Sequence, residues 1–113
     1  MFLRSQAREV WENIYYNSVV ADQGGEAETQ EFLRLFMVPG MAHCHGGPGP
    51  DTFDALAALE QWVEEGVAPD QIVGTNLDTG MTRPLCPYPL VARWTGKGST
   101  DDAANFTCKK PKK

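Results

Sequence analysis

LFMVPGMAHCHGGPGPDTFDALAALEQWVEEG, residues 35–66, is the stretch that decides the fold. It opens in a nearly continuous apolar run, Phe32-Leu33-Arg34-Leu35-Phe36-Met37-Val38, which Pro39-Gly40 stops. A short apolar run bounded by turn residues predicts a strand buried on both faces, of the kind found in parallel sheets. Residues 39–50 then crowd Gly and Pro around His43 and His45, which predicts an irregular loop just past the strand's C-terminal end, a common place for function. Beyond it, Asp51 or Thr52 is expected to cap a helix with Phe53, Leu56, Leu59 and Val63 on one apolar face and Gly66 as its stop. Strand, loop and helix make half of an α/β unit.

Working outward, Val10, Trp11, Ile14, Tyr15 and Val19 recur at three- and four-residue steps, predicting an amphipathic helix over Phe2–Ala21 that Gly24-Gly25 ends. Downstream, Gln71–Asn76 reads as a short strand and Leu90–Thr95 as an edge strand. The three prolines within residues 81–89 argue against regular pairing there. The end, GKGSTDDAANFTC, is turn-rich and needs outside support such as a disulfide. The 113 residues suit one folding unit, residues 1–108, followed by a basic tail, residues 109–113, expected to be solvated and disordered.

A formal charge of −5 excludes a nucleic-acid binder, which needs a surplus of Lys and Arg on one face. No apolar run reaches the 18 residues of a membrane span, and Arg4, Arg8 and Glu9 interrupt any signal-peptide core at the start. Cys44, Cys86 and Cys108 cannot all pair with one another, so one is free, metal-bound or bonded to a partner outside the chain. Asn105-Phe106-Thr107 fits the N-glycosylation pattern, which makes Asn105 a candidate acceptor in a secretory route.

A histidine at the mouth of an α/β sheet, just past a buried strand, stands where a general base must be to deprotonate a hydroxyl held on another strand. His43 fits that position. His45 lies in the more flexible Gly-rich part of the loop, where an imidazole is harder to hold still.

Residues 35–66, together with TRPLCPYPLVARW (82–94) and GSTDDAANFTC (98–108), resemble the C-terminal core of the tannase and feruloyl esterase family of α/β-hydrolases. The resemblance runs from about residue 15 to residue 108. It implies a carboxylic ester hydrolase with a Ser-His-Asp mechanism, acting on aromatic esters such as feruloyl or galloyl esters and secreted in the complete protein. In that family the catalytic His precedes a Cys whose disulfide partner precedes the nucleophilic Ser. That pattern falls on His43-Cys44, with the partner of Cys44 outside this chain. It also implies a late structural disulfide between Cys86 and Cys108. The family's calcium site belongs to a lid domain not matched here, so no cofactor is expected.

The family's acid lies a few residues ahead of a helix with a Tyr-Tyr pair, here Tyr15-Tyr16, and no Asp stands upstream of Tyr15. Glu9 and Glu12 are the only acidic residues there, and both lie in the helical pattern. No G-x-S-x-G elbow or Cys-Ser pair occurs. The chain therefore reads as a fragment with the catalytic His but without Ser and Asp, and is expected to be inactive alone. The alternative is a small zinc-binding module using His43, Cys44, His45 and Cys86 or Cys108.

Overall fold

The computed structural model describes residues 2–5 and 11–112, with side chains from residue 14 onward. The chain runs through β1 (Phe2–Ser5), α1 (Trp11–Asp22), α2 (Glu26–Gln30), β2 (Leu35–Val38), α3 (Ala55–Glu65), β3 (Ile72–Thr75), β4 (Thr82–Leu85), β5 (Val91–Trp94) and β6 (Phe106–Lys109). The strands pair as β1 with β2, β3 with β4 and β5 with β6.

β2 is the strand expected at the head of the deciding stretch, shortened to four residues. Phe36 and Val38 lie in the core with Ile72 and Leu85, while Leu35 on the opposite pleat is equally inaccessible. Burial on both faces suits a parallel strand, and β1 supplies the parallel partner, with Phe2 opposite Leu35 and Ser5 opposite Val38. Parallel neighbours need a crossover, and α1 with α2 provides it, so the first third of the chain is a β-α-β unit.

That arrangement corrects the expected helix over Phe2–Ala21. The helix starts at Trp11 and the residues ahead of it include a strand. The 3.6-residue pattern is carried by Val10 and the residues after it. The backbone of residues 2–5 instead finds its hydrogen bonds across the ladder to β2, a long-range choice that periodicity does not register.

Within the crossover, Tyr16 is 1% exposed, meets the Tyr88 ring edge-on at 5.8 Å and accepts a hydrogen bond from Gln30 Nε2 at 3.2 Å. Burial pushes its hydroxyl above the ordinary value of 10.0, outweighing the Gln30 bond, which acts the other way. A proton held more tightly in the folded chain makes stability fall as pH rises from about 10 towards the folded value. Tyr16→Phe is expected to flatten that alkaline decline in Tm, at a cost of about 1 kcal/mol near neutral pH for the lost hydrogen bond. An alkaline slope unchanged in the variant would contradict the assignment.

β3 and β4 form a hairpin where residues 81–89 were expected to stay unpaired. The reason is register. Thr75 sends its N–H to the Thr52 carbonyl (2.8 Å) and Thr82 sends its own to the Asp101 carbonyl (2.9 Å), so this pair does not exchange ladder bonds. Antiparallel pairs alternate, which puts Pro84, opposite Val73, in the same class. Its missing N–H therefore costs the ladder nothing.

α3 ends at Gly66, which adopts the left-handed conformation (φ 71°) expected of a C-terminal glycine, but its N-cap is Asp54, accepting from Ala57 N at 2.9 Å. Only Phe53 and Ala58 reach the core. Leu56 and Val63, predicted to face inward, are 65% and 75% exposed, because the described residues provide no layer opposite them. On the inner side, the Arg34 guanidinium lies 5.4 Å from the Trp62 ring and donates to the Pro69 carbonyl at 2.8 Å, which ties the helix to the turn before β3.

The C-terminal part is pinned rather than loose. A disulfide joins Cys86, just after β4, to Cys108 in β6, with a Cα–Cα distance of 5.6 Å. Arg83 donates to the Thr100 carbonyl (2.7 Å) and stacks 4.1 Å from the Phe106 ring. Lys109, expected in the tail, closes β6, and the Lys110 carbonyl accepts from Arg93 at 2.7 Å.

Candidate functional site

The loop after β2 is irregular, as expected, but it is tightly bonded. Ala42 N donates to the Gly46 carbonyl at 2.8 Å, which closes a crown whose three inner residues are His43, Cys44 and His45. All three are exposed. Cys44 adopts a positive φ of 71°, a conformation uncommon for a residue other than Gly, Asn or Asp. It brings Sγ to 3.1 Å from His43 Nδ1. Cys44 is a free thiol in this structure.

Beneath the crown the loop doubles back on itself. Gly49 N donates to the Gly40 carbonyl at 3.0 Å. A Cβ on Gly49 would run into the Pro39 carbonyl, and one on Gly47 into the Gly40 carbonyl, so both positions require glycine for close backbone approach. Asp51 holds the rim of the crown, its Oδ2 accepting from Gly46 N at 2.7 Å. Asp51 was expected to cap a helix; it caps the loop.

A residue that sequence reasoning did not single out fastens the loop from below. Asn76 is 4% exposed, and its Nδ2 donates to the carbonyls of Gly47 (3.2 Å) and Gly49 (2.9 Å). Its Oδ1 accepts from the amides of Asp78 (3.0 Å) and Thr79 (3.2 Å), forming the turn after β3. The turn-forming pattern Asn76-Leu77-Asp78-Thr79-Gly80 was visible in the sequence; its partners nearly thirty residues away were not.

An apolar cavity of about 600 Å³ has Pro39, Pro50, Met81 and Leu90 among its walls, and neither histidine lines it. Asn105 packs in the last turn with its Nδ2, the atom that would carry a glycan, donating to the Ser99 carbonyl at 2.9 Å. Cys86 and Cys108 are joined to each other. This corrects the zinc alternative, since a disulfide sulfur is no thiolate ligand. Among the described residues no group of three or more His, Cys, Asp or Glu is placed to hold a metal. The side chains of Glu9 and Glu12, the only acidic groups ahead of Tyr15, lie outside the described ones.

Against known proteins, the family model for tannase and feruloyl esterase matches residues 9–109. The chain belongs to that family. The match begins several residues ahead of residue 15, from which the sequence resemblance runs, and takes in the start of α1. Among curated relatives, the mono(2-hydroxyethyl) terephthalate hydrolase of Piscinibacter sakaiensis is 50% identical over 103 residues, covering 86% of this chain. A probable feruloyl esterase of Arthroderma benhamiae is 40% identical, covering 85%. The chain spans 17% and 19% of the length of these two relatives. In solved structures, an esterase from Aspergillus oryzae superposes with a TM-score of 0.78 at 32% identity, covering 96% of this chain and 26% of its own. Feruloyl esterase B from the same organism gives 0.73 at 31% identity, covering 87% of this chain and 23% of its own. The fold and the ester-hydrolase character of the family thus rest on sequence and structure together.

Proposed function

We propose that this chain is the histidine-bearing part of a serine carboxylic ester hydrolase of α/β-hydrolase architecture, with His43 as general base and then general acid. The observation that carries the reading is the crown itself. It presents His43 to solvent just past the buried parallel strand β2, beside a free Cys44. A hydroxyl nucleophile outside these 113 residues would complete the site, since the chain contains no G-x-S-x-G elbow or Cys-Ser pair.

In the reaction, His43 takes the proton of the serine hydroxyl as its oxygen attacks the ester carbonyl, then delivers that proton to the departing alcohol. An acyl-enzyme remains, and water, deprotonated by the same imidazole, releases the acid and restores the serine. Cys44 oxidised to a disulfide with a cysteine beside the serine would tie base and nucleophile together. Its Sγ, 3.1 Å from Nδ1 as a thiol, would then be engaged in the sulfur–sulfur bond, leaving that nitrogen to pair with an acid. A restraint so close to both reacting groups suits chemistry that demands placement to about half an ångström.

The substrates proposed are esters of aromatic acids, feruloyl or galloyl esters among them. Family membership supports this reading, as do relatives whose names include a feruloyl esterase and a terephthalate ester hydrolase. The Cys86–Cys108 disulfide favours an oxidising compartment, in keeping with a secreted enzyme. The test is hydrolysis of an aromatic ester by the 113-residue chain and by the complete enzyme in parallel. The chain alone is expected to show no turnover above background and the complete enzyme clear turnover. Turnover by the chain alone would contradict the proposal.

A further inference from the structure

We infer that Asn76 and Asp51 form a two-sided clamp that positions His43 for catalysis, Asn76 from within the fold and Asp51 from the rim of the loop. The inference rests on the assignment of His43 as the base.

The crown has few internal means of staying still. The loop around it is rich in glycine, its three tip residues are exposed, and its internal closure is one backbone hydrogen bond, Ala42 N to the Gly46 carbonyl. Besides the Cys44 disulfide proposed for the complete enzyme, what fixes Gly46 is therefore what fixes the tip. Asp51 seizes its amide with a carboxylate at 2.7 Å, a charge-assisted bond of the stronger class. The next turn of the loop is held by Asn76, whose two amide protons go to Gly47 and Gly49. Asn76 is well suited to this work because it is itself immobilised. It is buried, it sits at the end of β3, and its carbonyl oxygen is engaged by two backbone amides of the hairpin turn. β3 in turn exchanges a pair of hydrogen bonds with Thr52, just past the loop, Thr52 N to the Thr75 carbonyl at 3.0 Å and Thr75 N back at 2.8 Å.

The hairpin, which touches no reacting atom, thus sets the height and tilt of the histidine loop. Both residues are positioning residues. Their loss should cost rate rather than binding, since a displacement of about an ångström away from the chemistry can cost on the order of a hundredfold.

The experiment uses the complete enzyme with Asn76→Asp, Asp51→Ala and His43→Ala. Asn76→Asp keeps the acceptor that caps the hairpin turn and replaces only the two donors to the loop. Rates are expressed per active site, counted with a serine-directed phosphonate run to completion, so that a smaller folded fraction lowers the count and not the rate. Asn76→Asp is expected to lower kcat per site by about a hundredfold with KM within about twofold. Asp51→Ala is expected to lower it by about tenfold, the equivalent of one lost hydrogen bond. If Asn76→Asp gives no folded enzyme, Asp51→Ala decides by the same readout. Per-site kcat within twofold of the parent, or a rise in KM alone, would overturn the clamp while an inactive His43→Ala leaves the base assignment standing. Activity retained by His43→Ala would overturn both.

Discussion

Replacing His43 by Ala in the complete enzyme is expected to lower kcat on an aromatic ester by a factor on the order of 10⁴ to 10⁶, with KM little changed. The size follows from how the residues of such a site act. A serine hydroxyl without a base is a poor nucleophile, and the remaining groups cannot make up for the missing proton transfer. His45→Ala is the informative companion. It lies in the same crown, two residues on and also exposed, so a general effect of disturbing the loop would appear in both variants. The account expects the large loss at His43 alone. Comparable losses at both, or the larger at His45, would move the base to the neighbouring residue.

The second large effect concerns stability. Cutting the Cys86–Cys108 disulfide, by reduction or by Cys108→Ser, frees a loop with a sequence separation of 22 residues. The chain-entropy model assigns such a loop about 3 kcal/mol, and in a protein of this size that is roughly 10–15 °C in Tm. The bond also joins the end of β4 to β6, and through Arg83, Thr100 and Phe106 the turn-rich last segment depends on that junction. Differential scanning calorimetry with and without reductant measures the shift. A Tm unchanged within a degree or two would mean that the Arg83 contacts alone hold the end in place.

Leu35, Phe36 and Val38 announced β2 because a continuous apolar run halted by Pro39-Gly40 is the pattern of a strand covered on both sides, and both sides are covered. Gly66 announced the end of α3 because the left-handed conformation it adopts is nearly reserved for glycine. The Gly- and Pro-rich loop with His43 was equally plain. What escaped notice was set by partners distant in the chain. Residues 2–5 became a strand because β2 offered a free edge. Pro84 entered a ladder because its register made the absent N–H harmless. Asp51 turned from a helix cap into a loop cap by finding Gly46, and Asn76 reached Gly47 and Gly49. The exposed apolar side chains of α3 illustrate the same point: Leu56 and Val63 are spaced for a core that the described residues do not complete.

The site divides along the same line. The imidazole and the adjacent thiol can be named from the sequence, since His43-Cys44 is a local pattern. The scaffold that holds them is non-local, built from backbone carbonyls and two polar side chains, and only the folded chain reveals it.

The central claim is that the His43 loop is joined to the nucleophile of an ester hydrolase. Its most direct test is disulfide mapping of the unreduced complete enzyme after labelling with a serine-directed phosphonate. The peptide containing Cys44 is expected to be recovered disulfide-linked to the peptide carrying the phosphonylated serine, alongside a Cys86–Cys108 pair. Recovery of Cys44 as a free thiol, or bonded to a peptide without the labelled serine, would contradict it.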